Sequence, residues 1–238
     1  MKYQAILFDL DGTLLPMHEP TFVACFYKAL VDYVSPLGAS PAQVGEVLKG
    51  SLMHVLANDG SRSNRQAYEE FYQAYYKASG LMIDIAQMER FYTHEFDHRV
   101  RESCGCDPMA AELVTYIKSL KMPMVVATNP FFPRAASYAR LGWAGLNPAD
   151  FTEITTYEDY HYCKPNLMYY KELFARIGFD PQRCLMVGNN VDEDMIAEKL
   201  GCDVFLVTRN LINAKNADIS VYPRGSLEDL LIYLKNSQ

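Results

Sequence analysis

Residues 3–15, YQAILFDLDGTLL, pass through a short apolar run and then stop on two carboxylates, Asp9 and Asp11, followed at once by a Gly12-Thr13 turn. A short apolar run bounded by turn residues has the pattern of a buried strand. Two like charges at its end are costly to hold near an apolar interior unless something uses them.

From residue 104 onward, similar apolar runs at 124–128, 151–155, 184–188 and 204–207 alternate with helical patterns. The helical segments are AELVTYIKSL (111–120), RAASYARLG (134–142), NLMYYKELFARIG (166–178) and DEDMIAEKLG (192–201), the last two ending on Gly178 and Gly201 as helix stops. Strands alternating with helices predict an α/β fold, a parallel sheet with helices on both faces. Residues 16–103 differ, with helical periodicity and almost no strand signal. Phe22, Phe26, Leu30 and Tyr33 form one apolar stripe, and Val44, Val47, Leu48, Val55 and Leu56 a second. Phe71, Tyr75 and Ala78 form a third, and a fourth helix is predicted through Ile85, Met88, Phe91 and Tyr92. The expected organisation is therefore a core of residues 1–15 and 104–238, interrupted by an all-helical insert of residues 16–103.

Composition narrows the function. Half of the 238 residues are hydrophobic, enough for a sizeable core without disulfide or metal staples. The net charge of -7, with no clustered Lys or Arg, argues against nucleic acid as a partner. Six cysteines without a paired C-x-x-C predict free thiols in a reducing compartment, the Cys104-Gly105-Cys106 pair included. The amino terminus lacks a signal-peptide pattern, and no apolar stretch is long enough to span a bilayer. A cytoplasmic protein with no membrane partner, a monomer or homodimer, is expected.

Ligands of parallel sheets bind outside the carboxyl ends of the strands. Asp9 stands at such an end, as do Thr128-Asn129 after MVVA and Asn189-Asn190 after LMVG, with Lys164 in the loop following the third strand. Each has a plain structural explanation as turn or cap chemistry. Their coincidence at corresponding strand ends points to one site.

In order along the chain, FDLDGTL, VVATN, the lysine of CKP and MVGNNVDEDM resemble the four motifs of the haloacid dehalogenase-like hydrolase superfamily. The resemblance spans the whole chain. It implies a Rossmann-like core, a mobile cap inserted between the first two motifs, Mg²⁺, and transfer through an aspartyl intermediate. In that chemistry Asp9 attacks phosphorus as nucleophile, and Asp11 protonates the leaving oxygen and later deprotonates water. A neighbouring carboxylate helps raise the pKa that Asp11 needs. Mg²⁺ is expected on Asp9, the backbone carbonyl of Asp11, Asn189 and Asp194. Gly12, Thr128, Asn129 and Lys164 are the expected substrate-binding residues, with Thr128 and Lys164 acting electrostatically. Asp11 favours phosphoryl transfer over dehalogenation, because dehalogenases of the family resemble this motif with another residue at that position.

The fourth motif departs from the pattern, with Asn189 where relatives carry Asp. The amide can ligate Mg²⁺ but brings no charge, and one unit charge at ~4 Å is worth roughly 4 kcal/mol at an effective dielectric of 20. Asp194 keeps the position of the motif's later Asp, whereas Asp192 reads equally as a first-turn acidic residue. The expected activity is a Mg²⁺-dependent phosphatase of a small phosphorylated metabolite. A sugar phosphomutase, or a catalytically impaired binding or regulatory member, are the alternatives. In the insert, Arg62 and Arg65 offer cations to an anionic substrate, and Phe71, Tyr72, Tyr75 and Tyr76 read chiefly as packing. His18 stands at the hinge, and Phe131 and Phe132 either floor the cap interface or simply pack.

Overall fold

The computed structural model describes residues 2–81 and 83–237. Among them β1 (Ala5–Phe8), β2 (Met124–Val126), β3 (Glu153–Ile154), β4 (Cys184–Gly188), β5 (Asp203–Val207) and β6 (Arg224–Gly225) form one parallel sheet, ordered β3-β2-β1-β4-β5-β6. Alternate residues of a strand face opposite sides, and here both sides are apolar. Ile6, Phe8, Leu185 and Val187 enter one core, and Ala5, Leu7, Cys184 and Met186 the other. The first is covered by α6 (Pro108–Ser119), α7 (Arg134–Trp143) and α9 (Leu227–Asn236), and the second by α8 (Leu167–Ile177). The strand order reverses at β1, with β2 on one side and β4 on the other. A crevice therefore opens beyond the carboxyl end of β1, where Asp9 follows.

Between β1 and α6 the chain is helical: α1 (Glu19–Val34), α2 (Pro41–Leu56), α3 (Asn64–Ser79), α4 (Ile85–Arg90) and α5 (Phe96–Val100), the last two joined by a π turn at Phe91–Glu95. Reciprocal capping boxes, Ser40 with Gln43, Ser63 with Gln66 and Asp84 with Gln87, satisfy the free N–H groups at the starts of α2, α3 and α4. The buried faces of α1 and α2 carry Phe22, Phe26, Leu30, Val44, Val47 and Val55, as the periodicity predicts, but Leu56 is exposed.

Three expectations need correction. On α3 the buried face is Tyr72 and Tyr76, whose rings lie 4.4 Å apart, while Phe71 and Tyr75 are half-buried and Ala78 is exposed. Phe71 instead occupies a notch over Gly50 of α2, where any Cβ would collide with its ring. Helical spacing groups these aromatics but does not say which group faces inward. The segment 192–201 forms turns and then a 3-10 helix, Met195–Leu200, instead of an α-helix. There the Asn190 side chain accepts from the N–H groups of Asp192 and Glu193, replacing the first α turn. Finally, β6 and α9 add to the sheet and its cover beyond the elements read from sequence.

The helical segment and the sheet share one apolar layer. Phe132, in the loop after β2, packs edge-on against Phe22 and Phe26 of α1 at 6.0 and 5.5 Å. Trp143 of α7 stacks on Phe96 of α5 at 5.2 Å and donates its indole N–H to Asp97 at 2.5 Å. A second joint lies at the start of α3, where the buried amide of Asn64 donates to the Pro130 carbonyl and to Cys163 Sγ. Fully buried Phe96 contacts aromatics of both parts. Phe96→Ala is expected to cost about 3–5 kcal/mol of stability, measured as a lower urea midpoint.

Candidate active site

Four loops at the carboxyl ends of β1, β2, β3 and β4 meet around Asp9. Its carboxylate is held at both oxygens: Oδ1 accepts from Lys164 Nζ at 3.0 Å and Oδ2 from Thr13 Oγ1 at 3.1 Å. Lys164 is 1% exposed, and its ammonium also donates to Asp194 Oδ1 at 2.6 Å. Burial works against that positive charge, but Asp194 and Asp9 more than offset it and hold the lysine pKa well above its ordinary value. The other oxygen of Asp194 accepts from the Asn190 N–H at 2.9 Å. Asp194 can fold back this far because Gly188 has no side chain, and a Cβ there would meet its carboxylate.

Thr128 is buried and flanks Asp9, since the preceding Ala127 N–H donates to the Phe8 carbonyl at 2.7 Å. The Thr128 carbonyl is fixed by the hydroxyls of Thr155 and Tyr169. The Asn129 amide grips the backbone of Lys164 from both sides, accepting from its N–H at 3.1 Å and donating to its carbonyl at 3.4 Å. It also donates to Glu193 at 3.1 Å. Asn129 thus sets the loop that carries the lysine. Burial raises the Glu193 carboxyl, against the pull of Lys164.

Asn189 is oriented by its own hydrogen bonds. Its Nδ2 donates to the Asn210 carbonyl at 2.6 Å, which turns Oδ1 toward Thr13 Oγ1, 3.1 Å away. Gly12, at φ +85°, passes so close that a Cβ would run into this amide. Asp9 Oδ2 and Asn189 Oδ1 therefore both neighbour the same hydroxyl. These are hard oxygen donors, and the pair suits Mg²⁺ with one charge fewer than two carboxylates would bring. Among the described residues, no three His, Cys, Asp or Glu side chains gather as a metal cluster.

Asp11 turns to a different partner, the guanidinium of Arg140 on α7. Burial pushes its carboxyl up to about 6, Arg140 opposes that rise, and Asp9 adds to it. Thr13, Arg140, Glu193 and Asn210 were not singled out in the sequence. Thr13 lies inside the first motif and Glu193 inside the fourth, but Arg140 and Asn210 carry no local signal. The outlying candidates lie apart from this network. His18 bonds Thr21, Arg62 pairs with Glu70, Arg65 pairs with Glu69 and Glu89, and Asp192 pairs with Lys215.

Strand-end carboxylates, a buried lysine and a clustered amide define a hydrolase-type centre on a Rossmann-like sheet. The haloacid dehalogenase-like hydrolase family matches residues 3–201, and the chain belongs to that family. A glyceraldehyde 3-phosphate phosphatase of Methanothermobacter thermautotrophicus is 35% identical over 66 residues, 27% of this chain and 29% of that protein. The chain thus aligns with under a third of that relative. The magnesium-bound hydrolase YfnB of Bacillus subtilis superposes with a TM-score of 0.58 at 20% identity, covering 99% of this chain and 100% of that one. The L-2-haloacid dehalogenase PA0810 gives 0.62 at 16% identity, covering 98% and 99%. At such identities both show the fold, and the site residues must supply the chemistry.

Two outcomes follow from this geometry. Asn189→Asp replaces a donor by a lone pair facing the Asn210 carbonyl, so in metal-free buffer its thermal midpoint should fall by several degrees for a loss of about 1–3 kcal/mol. The folded-state carboxyl of Asp11 titrates near 6 instead of 3.8. Between those values the folded protein holds a proton that the unfolded chain has released, so this group's contribution to stability falls as pH rises through the window. Asp11→Asn should flatten that part of the stability profile, measured by denaturant titration at a series of pH values.

Proposed function

We propose that the protein is a phosphatase acting on a small phosphorylated metabolite in the cytoplasm, with Asp9 as nucleophile. The observation that carries this reading is Asp9 itself, a carboxylate at the switch point of the sheet, with Asp11 two residues on. Lys164 and Thr13 hold Asp9 at each oxygen, so the attacking group is oriented before substrate arrives. Asp9 forms a bond to phosphorus as the bond to the leaving oxygen breaks. That oxygen takes a proton from Asp11, and a water that attacks the acyl-phosphate later returns one to it.

Lys164 keeps the site near neutrality, and with Thr128 it offers positive charge and hydroxyl to the phosphoryl oxygens. Mg²⁺, held by Asp9 and Asn189 with the Asp11 carbonyl, would supply further charge to those oxygens. Asp194 would act through Lys164, to which it is bonded. The helical segment, bonded to the loops after β2 and β3, is suited to act as a cap that limits substrate size.

A second reading, a binding module with weak metal affinity, draws on the neutral Asn189 amide and its commitment to Asn210. Phosphate release from small phosphate esters, with and without Mg²⁺, separates the two. Release that needs the metal is expected, and Asp9→Asn should lose it at least ~10³-fold while its circular dichroism is unchanged. Substantial turnover by Asp9→Asn would show that the covalent route is wrong, and a silent parent protein would favour the binding module.

A further inference from the structure

Arg140 is the largest fully buried side chain of the protein, with 0% exposure. Arginine is rarely hidden so completely, because its charge must be repaid by partners of good geometry. Nε donates to the Ala136 carbonyl at 3.4 Å and Nη2 to Ser137 Oγ at 3.3 Å, both on its own helix. The guanidinium carbon lies over the Phe132 ring, 4.5 Å from its centroid. Nη1 donates to Asp11 Oδ2, and Asp11 is the sole carboxylate paired with Arg140 among the described residues. The other oxygen of Asp11, Oδ1, is buried and has no hydrogen-bond partner. An acceptor left so is costly in a folded protein and calls for an explanation.

We propose that Arg140 is a positioning residue that anchors Asp11 through Oδ2, so that Oδ1 is the oxygen that exchanges the proton with the leaving group and then with water. The inference rests on the phosphatase reading above. As Asp9 Oδ bonds to phosphorus, the electron pair of the breaking P–O bond stays on the leaving oxygen, which takes the proton from Oδ1. The carboxylate so formed keeps Arg140 as its counter-charge. When water attacks the acyl-phosphate, its proton goes to Oδ1 and the P–O bond to Asp9 breaks, releasing inorganic phosphate. A flexible Asp11 would present either oxygen in many orientations. Arg140, held by its own helix and by Phe132, removes that freedom.

The test is the dependence of kcat/KM on the leaving group, across 4-nitrophenyl, phenyl and 4-methoxyphenyl phosphate. 4-Nitrophenolate leaves with little need of a proton, whereas phenolate and 4-methoxyphenolate, close to each other in basicity, both need one. Asp11→Asn should make the dependence steep. Arg140→Met should do the same, losing about tenfold or more beyond its loss on 4-nitrophenyl phosphate when the poorest leaving group is used. Trp143→Phe, on the same helix but away from Asp11, should lower all three equally if it lowers any.

Equal losses across the series for Arg140→Met would overturn the proposal and leave Arg140 a packing residue. Should Arg140→Met fail to fold, Arg140→Lys decides. A dependence steeper than that of the parent supports anchoring by the planar fork, and an unchanged one overturns it. An unchanged dependence in Asp11→Asn would remove Asp11 from proton transfer, and Arg140 with it, while leaving the phosphatase intact. No release from any ester by the parent protein would overturn the phosphatase reading and this one together.

Discussion

The ammonium of Lys164, buried between Asp9 and Asp194, is the interaction on which the site depends. Two ionised carboxylates repel each other at an interior position unless a cation divides them. Each neighbouring feature serves that arrangement. Asn129 clamps the lysine's backbone, Gly188 leaves room for Asp194, and the Asn190 N–H takes the remaining carboxylate oxygen. The loops after β2, β3 and β4 are thereby referred to one charge. Thr13 completes the set from the β1 side, bonding Asp9 and Asn189 together.

The same logic explains why Asn189 is more than a missing charge. Its donor end is used by the Asn210 carbonyl, so the segment after β5 has been built around an amide. Ile212 reinforces that contact by pairing its backbone with Asn189 and Val191. Aspartate at this position would suit a cation better and its protein surroundings worse. The local electrostatics have been balanced between Lys164, Arg140 and the carboxylates of Asp9, Asp11, Asp194 and Glu193 without drawing on a further one at position 189.

Much of this was legible in the sequence because strand ends are. The run before Asp9, the polar stops after β2 and β4, and the lysine near 164 follow from short apolar runs broken by turn residues. The helical nature of residues 16–103 follows from the spacing of their apolar residues. What spacing does not contain is the identity of the neighbour a face meets. Arg140 sits in RAASYARLG, where a cation every few residues has the look of a solvated helix, yet it is the best-buried arginine. Asn64 reads as an ordinary helix start, yet its amide spans to Pro130 and Cys163. Likewise α3 turns Tyr72 and Tyr76 inward because Gly50 accommodates Phe71, a choice made by another helix.

The joint between the helical segment and the sheet contains the chain's one tryptophan. Trp143 is 4% exposed, stacked on Phe96, and bonded through its indole N–H to Asp97. Indole emission responds to solvent and to nearby carboxylates, so the protein carries a natural optical reporter at this seam. Ligand-driven separation of the two parts would register as a spectral shift free of background from any other indole, and no dye or engineered label would be required to follow it in real time.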